Sequence, residues 1–298
     1  MPPIVKKQTP TGTVALQKDL KTNVLSRIGP VKKTSVGRLK VSVYGLPKVG
    51  KTRFACTFPK PMLLIGSEDG TDSVQGVAGV DFVQLSHTQE MFDIIELLKT
   101  GKYASCAVDT ATKLRDMRIS EIKGLGKTVV QKSFGFAGRE EWMQCSADLK
   151  EIFSALLDLP RTQELNVVII AQEGNRGKED SGSEELLRPQ IGGAVGKALG
   201  DFIDAECSYI CQALIREQIT RTTKTVGSKV VGGKTIAGRQ IVVEEKTGKK
   251  EYCIRIGPHE SYITGFRIGL GREEEIPDYI VNPDYSKVVA LIKGDKVE

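Results

Sequence analysis

Strand-like and helix-like hydrophobic patterns alternate along the middle of the chain. From Leu39 to Tyr44 every second residue is apolar, which is typical of a β-strand. Largely apolar runs of strand length, as expected of strands buried on both faces, follow at Met62–Ile65, Ala104–Val108 and Val167–Ala171. Helical spacing separates these runs, at Met91–Leu98 and Trp142–Leu157. Strands alternating with helices predict an α/β fold with a mostly parallel, doubly wound sheet.

The pattern divides the chain into three parts. Residues 1–38 show no sustained period and are rich in Lys, Pro and Thr, so we expect a basic, disordered N-terminal arm. Residues 39–214 hold the alternating α/β pattern and form the predicted core. Residues 215–298 read as a small antiparallel β extension, with strands at 239–245, 252–256 and 263–268, that ends in a short helix around 288–292.

The segment between the first strand and the first helix fits G-x-x-x-x-G-K-[ST]. Its residues are Gly45, Leu46, Pro47, Lys48, Val49, Gly50, Lys51 and Thr52, with Arg53 opening the helix. In such a loop, backbone N–H groups and the helix N-terminus point at phosphate oxygens. The Lys51 ammonium then reaches the β- and γ-phosphates, and the Thr52 hydroxyl lies on Mg²⁺. The motif predicts a nucleoside triphosphate site; the alternative is an ordinary Gly-rich turn with a surface lysine.

Polar residues follow three of the later strands. Asp109 ends an apolar strand and is expected to hold the Mg²⁺ shell with Thr52. Glu68 is the candidate that orients or deprotonates the attacking water, with Asp69 as the competing choice and a plain loop acid as the alternative. Gln172 follows the strand at Val167–Ala171, where an amide can sense the γ-phosphate; a neutral glutamine at a strand end is the alternative. Strand carboxyl ends share the ligand crevice of an open α/β sheet, so these residues should converge.

The formal net charge of +6 is unevenly placed. Residues 1–40 carry nine Lys or Arg residues against one acid, and residues 215–250 carry nine against three. Positive charge confined in this way suggests a polyanion partner, whereas a tail that only aids solubility is the alternative. The six cysteines form no C-x-x-C pair and are expected to be buried and reduced. No apolar run is long enough to cross a membrane and the N-terminus lacks a signal-peptide pattern, so we expect a cytoplasmic protein.

The phosphate loop at 45–52, the acids Glu68 and Asp69, Asp109 and Gln172 follow one another in a characteristic order. In this order they resemble the RecA/RadA-type core ATPases, and more narrowly the RecA-like P-loop proteins of bacteriophages that act in single-strand annealing or recombination. The resemblance covers about residues 39–213 and includes Gly192-Gly193 before a helix. It implies an ATPase that uses ATP and Mg²⁺, is stimulated by DNA, binds single-stranded DNA and assembles into a homo-oligomeric ring or filament. It also implies a bacterial host cytoplasm, and a single-strand-binding protein as a possible partner. The matching catalytic residues are Glu68, Lys51 and Gln172.

The same resemblance implies two DNA-binding loops, at about 123–140 and 173–193. In the first, cations interleave with two aromatic residues, an arrangement that suits a single-strand groove. These candidates are Lys123, Lys127, Lys132, Phe134, Phe136 and Arg139. Tucking of both aromatics into the core is the alternative. The second loop is biased towards acids, which puts direct DNA contact by it in doubt.

Relatives of this type often bring a Lys-x-Arg pair from a neighbouring subunit to the γ-phosphate. Arg267 offers the arginine, but Gly265 stands where the lysine belongs, so a surface arginine on a strand is the competing interpretation. The expected function is an ATP-driven single-strand annealing or recombination protein. The alternatives are a nucleotide-gated DNA- or partner-binding module with negligible turnover, and a P-loop NTPase with no DNA role.

Overall fold

The computed structural model describes residues 36–67, 74–124, 137–175, 187–191, 197–226, 229–231, 234–236, 239–268, 271–272 and 275–297. The strands are β1 (Lys40–Gly45), β2 (Met62–Gly66), β3 (Val80–Gln84), β4 (Ser105–Asp109), β5 (Asn166–Asn175), β6 (Leu187–Pro189), β7 (Tyr209–Val226), β8 (Lys229–Val231), β9 (Lys234–Ile236), β10 (Arg239–Arg255), β11 (Gly265–Phe266) and β12 (Tyr279–Val281). The helices are α1 (Lys51–Ala55), α2 (Glu90–Lys99), α3 (Ala111–Ile122), α4 (Arg139–Thr162), α5 (Lys197–Glu206) and α6 (Tyr285–Lys293).

A mixed sheet with the strand order β12-β10-β7-β1-β5-β4-β2-β3 forms the centre of the described fold. The six strands from β7 to β3 are parallel, whereas β10 and β12 add to one edge in antiparallel orientation. Helices cover both faces: α2 to α5 pack on one face through residues such as Leu114 and Phe153, and α1 and α6 pack on the other through Phe54 and Val288. The predicted α/β class with a mostly parallel sheet is therefore confirmed.

β1 lies in the middle of the sheet, which places the loop that follows it at the centre of the carboxyl edge. It pairs in parallel with β5 on one side and with β7 on the other. The apolar run of β5 is fully buried from Val167 to Ala171, because helices cover both of its faces. The carboxyl ends of β1, β4 and β5 consequently come together.

The chain beyond residue 214 continues the central sheet. β7 crosses the boundary that the sequence suggested between residues 214 and 215, because it pairs with β1 at residues 209–212 and with β10 from residue 212 to residue 226. The predicted strands 239–245 and 252–256 are parts of the single strand β10, whose register shifts between Lys246 and Lys250. The basic segment at 215–250 thus forms much of a long antiparallel β7–β10 ribbon. Residues 1–35 of the predicted arm lie outside the described part of the chain.

Local sequence acts differently at the end of α4 and at the start of α6. Pro160 does not end α4, because the helix continues to Thr162. A proline in the last turn removes only one N–H donor, and the buried Leu159 and Pro160 stay packed against the core. The terminal helix α6 begins where the Asp284 side chain accepts a hydrogen bond from the Lys287 N–H, which is an N-cap. Among the described residues, no helix combines the length and apolarity that a bilayer crossing requires.

Candidate active site

The loop between β1 and α1 depends on glycine at two positions. A Cβ atom at Gly45 would lie 2.3 Å from the backbone oxygen of Ala213 in β7, a distance that no side chain tolerates. Gly50 caps α1 with a φ of 88°, in the left-handed region that glycine adopts without strain. The loop is therefore pressed against β7 at one end and turned sharply into α1 at the other. This geometry directs the first N–H groups of α1 towards the carboxyl edge of the sheet.

Lys51 is the first residue of α1, and it is only 8% exposed. Its Nζ donates hydrogen bonds to the backbone oxygens of Gly45 (2.8 Å) and Leu46 (2.7 Å), so the ammonium group lies inside the loop. Burial lowers the pKa of Lys51, while the nearby carboxylates of Asp109 and Glu173 act in the opposite direction. A cation with few hydration partners is well suited to attract phosphate oxygens.

Thr52 and Asp109 come together as the sequence predicts. The Thr52 hydroxyl donates a 2.6 Å hydrogen bond to the Asp109 carboxylate, although the two residues are 57 positions apart in the chain. Asp109 ends β4, and Thr110 then caps α3 by accepting a hydrogen bond from the Lys113 N–H. A hydroxyl and a carboxylate side by side are the hard oxygen donors that Mg²⁺ prefers, with its remaining positions left for water and phosphate. The residues present therefore fit a magnesium ion.

The end of β2 approaches Asp109 as well. The Ser67 N–H donates to the backbone oxygen of Asp109 at 3.1 Å, and its hydroxyl donates to that of Thr110 at 3.3 Å. Glu68 and Asp69, the two candidates for the water-activating carboxylate, follow Ser67 directly but lie outside the described residues. The role assigned to either of them stays a prediction.

Gln172 lies in β5 beside the first glycine of the loop, because it is in register with Gly45. Its backbone N–H donates to the hydroxyl of Thr112 at 3.0 Å, and that hydroxyl donates to the backbone oxygen of Gln190 at 2.7 Å. The Gln190 N–H in turn donates to the backbone oxygen of Gln172 at 2.7 Å. Thr112, at the start of α3, is 2% exposed. The buried Thr112 hydroxyl thus links α3 to both sides of the β5–β6 hairpin, at Gln172 in β5 and at Gln190 directly after β6.

Sequence reasoning missed a second carboxylate at this edge. The sequence assigned Glu173 to an acidic loop, but it lies in β5, and its Oε2 accepts a 2.8 Å hydrogen bond from Gln212 Nε2 of β7. Its negative charge also acts on Lys51, where it partly offsets the lowering of the pKa by burial. The one sequence feature that could have placed Glu173 at this edge is that it follows Gln172 directly. Gln212 lies inside a strand and carries no local signal, so the pair depends on the β1–β7 register.

The predicted DNA-binding residues are only partly within the described chain. Lys123 follows α3 and Arg139 begins α4, so these two flank the first predicted loop. Lys127, Lys132, Phe134 and Phe136 lie outside the described residues, as do positions 176–186 of the second loop and Gly192-Gly193. Arg267 is exposed near the amino-terminal end of β7, where its guanidinium donates to the Ala205 backbone oxygen at 3.4 Å. It therefore lies at the amino-terminal edge of the parallel strands, whereas its own phosphate loop lies at their carboxyl edge.

Comparison with known proteins agrees with this geometry. No curated protein matches the chain. A family of AAA domains, AAA_24, matches residues 38–236. This range includes the phosphate loop, Lys51, the Thr52–Asp109 pair and the β5 end at Gln172. Because the match extends over more than half of the chain, the protein belongs to the AAA_24 family of P-loop ATPases.

Proposed function

We propose that this protein is a RecA-like ATPase that binds single-stranded DNA and promotes annealing or homologous recombination. The observation that carries the ATPase part is the convergence of Lys51, the Thr52–Asp109 pair and Gln172 at the carboxyl edge of one parallel sheet. Ligands of open α/β sheets bind at this edge. The RecA-like order of the motifs and the placement of positive charge support the DNA part.

In the proposed reaction, loop N–H groups and Lys51 hold the β- and γ-phosphates of ATP. Mg²⁺, when bound by Thr52 and Asp109, neutralises the charge that develops on the phosphates. Glu68, or Asp69 in its place, orients the attacking water. Gln172 senses the γ-phosphate, and its backbone hydrogen bond to Thr112 passes the change to the β5–β6 hairpin. Hydrolysis then releases the DNA.

For DNA we propose the 123–140 loop as the primary contact, with Lys127 and Lys132 pairing with phosphates and Phe134 and Phe136 stacking on bases. The β7–β10 ribbon is a weaker candidate, because its charges are partly compensated. Arg216 pairs with Glu251, Lys224 with Glu245 and Lys246 with Glu217. We also propose assembly into a homo-oligomer in which Arg267 reaches the neighbouring subunit's γ-phosphate, and cooperation with a single-strand-binding protein.

The decisive experiment measures phosphate release and oligonucleotide binding on the same preparations. Replacing Lys51 by Ala removes the buried cation, and we expect the ATP turnover rate to fall by at least ~100-fold. The matched control is Lys99→Ala, which removes an exposed lysine paired only with Glu96 among the described contacts and should leave turnover unchanged. Undiminished turnover in the Lys51 variant would refute the site.

Fluorescence anisotropy of a labelled oligonucleotide tests the DNA part. We expect binding that strengthens with ATP in the wild type and loses its ATP dependence in the Lys51 variant. If the anisotropy of the oligonucleotide is the same with and without protein, the protein does not bind DNA, and the alternative of a P-loop NTPase with no DNA role is supported. The nucleotide-gated module with negligible turnover is distinguished by Glu68→Gln: the enzyme loses turnover in this variant, whereas the module has none to lose even with DNA present.

A further inference from the structure

We infer that the nucleobase and ribose of the bound nucleotide occupy the cavity between α1 and β10, beside the phosphate loop. The inference rests on the proposed nucleotide site and assigns to it Tyr252, Asn282 and Asp284, which lie outside the loop motif. The cavity has a volume of about 210 Å³. Its walls include Gly50 and Arg53 from the loop and α1, Tyr252 from β10, and Asn282 and Asp284 before α6.

The cavity continues directly from the loop that holds the phosphates. Gly50 caps α1 and also lines the cavity, and a Cβ atom at this position would lie 3.1 Å from Cδ1 of Tyr252. The Tyr252 ring therefore touches the last glycine of the loop. A nucleotide whose triphosphate lies on the N–H groups of α1 has its ribose and base next to this ring.

Two planar groups are available for stacking on a base. The Tyr252 side chain is 39% exposed, although the next two residues of β10, Cys253 and Ile254, are buried. Arg53 is exposed on the first turn of α1 and carries a planar guanidinium group. Aromatic rings and guanidinium planes are the groups on which proteins stack nucleobases.

The far wall supplies polar groups for the base edge and the ribose. Asn282 is fixed next to Tyr252, because its backbone N–H donates to the backbone oxygen of Tyr252 at 2.7 Å. Its amide side chain offers an NH₂ donor group beside a carbonyl acceptor, the pattern that pairs with an adenine edge. Partial burial raises the pKa of Asp284, but hydrogen bonds from Ser286 and Lys287 more than offset this effect and keep the net pKa below its usual value. The carboxylate is charged at neutral pH and accepts hydrogen bonds from hydroxyl groups.

Charge fixes the orientation of the ligand. The cationic Lys51 ammonium lies inside the loop, on the backbone oxygens of Gly45 and Leu46, whereas the anionic Asp284 lies on the cavity wall. A triphosphate is repelled by a carboxylate, so the phosphates lie at the loop and the ribose hydroxyls lie towards Asp284. The arrangement matches a nucleoside triphosphate, whose base and ribose fill the cavity. Inorganic triphosphate would occupy only the loop and leave the cavity empty.

The test compares ATP with inorganic triphosphate as ligands of the same variants by isothermal titration calorimetry. In Tyr252→Ala we expect ATP affinity to fall by ~5- to 100-fold, the range for loss of one base stack, with triphosphate affinity unchanged. Tyr252→Phe keeps the ring and should bind ATP like the wild type. The control Phe82→Ala removes a ring of similar exposure (40%) from β3, and should change neither affinity. Urea unfolding of each variant verifies the fold.

Equal losses for both ligands, or no loss for ATP, would overturn the inference. Its failure is distinguishable from failure of the proposed function. If ATP binding depends on Lys51 but not on Tyr252, the phosphate site stands and the base lies elsewhere. If ATP binding depends on neither residue, the proposed nucleotide site fails too.

Discussion

Thr112→Val tests the link between α3 and the β5–β6 hairpin. Valine keeps the shape of threonine but can neither accept from the Gln172 N–H nor donate to the Gln190 oxygen, which the hydroxyl does at 3.0 Å and 2.7 Å. An unsatisfied buried polar group costs about 1–3 kcal/mol. Gln190 is exposed, so water replaces much of its lost bond, and the Gln172 N–H determines the cost. We expect the free energy of unfolding to fall by about 1–3 kcal/mol.

The assay is urea unfolding at pH 7, followed by circular dichroism, with the midpoint and the m-value fitted separately. Thr112→Ser keeps the hydroxyl and loses one methyl group, so it should cost no more than about 1 kcal/mol. Thr100→Val is the exposed control, since its hydroxyl donates to the Leu97 oxygen at the surface, and it should change stability by less than about 0.5 kcal/mol. A Thr112→Val protein as stable as the wild type would refute the buried link.

Two further predictions address the magnesium site and the thiols. Asp109→Asn keeps an acceptor for the Thr52 hydroxyl but removes the charge, so the Mg²⁺ concentration for half-maximal turnover should rise by ~10- to 100-fold, whereas Asp81→Asn on β3 should leave it unchanged. An unaltered Mg²⁺ requirement would remove Asp109 from the site. All six cysteines are buried and free, and burial raises the pKa of Cys106 and Cys211 to about 12. A disulfide reagent at pH 8 should therefore label six thiols only upon unfolding, and rapid labelling of the native protein would contradict this burial.

The features that were predictable from sequence are those encoded by adjacent residues. The apolar runs of β4 and β5 mark strands buried on both faces, and the glycines of the loop mark a turn that no other residue allows. Because parallel strands carry their ends to one edge, the Thr52–Asp109 contact followed from order along the chain. The structure confirms the mostly parallel sheet, and the AAA_24 match confirms the P-loop class.

The features that escaped prediction depend on register between strands far apart in sequence. The Glu173–Gln212 pair exists because β7 and β5 both flank β1, and no local pattern specifies that arrangement. Likewise, Tyr252 and Asn282 meet because β10 and β12 are neighbours in the sheet. Alternating residues indicate a strand without indicating its partner, and β10 was read as two strands because the polar stretch at its register shift looks like a turn.

The continuity of β7 has a mechanical consequence. One unbroken backbone forms half of the ribbon and also supplies the Ala213 oxygen that presses on Gly45. Hydrogen-bonded strands resist stretching and transmit displacement along their length, and the gap at Gly45 is too small for a methyl group. We therefore expect a tilt of the ribbon to shift the Ala213 oxygen relative to Gly45 and so to open or tighten the loop around Lys51.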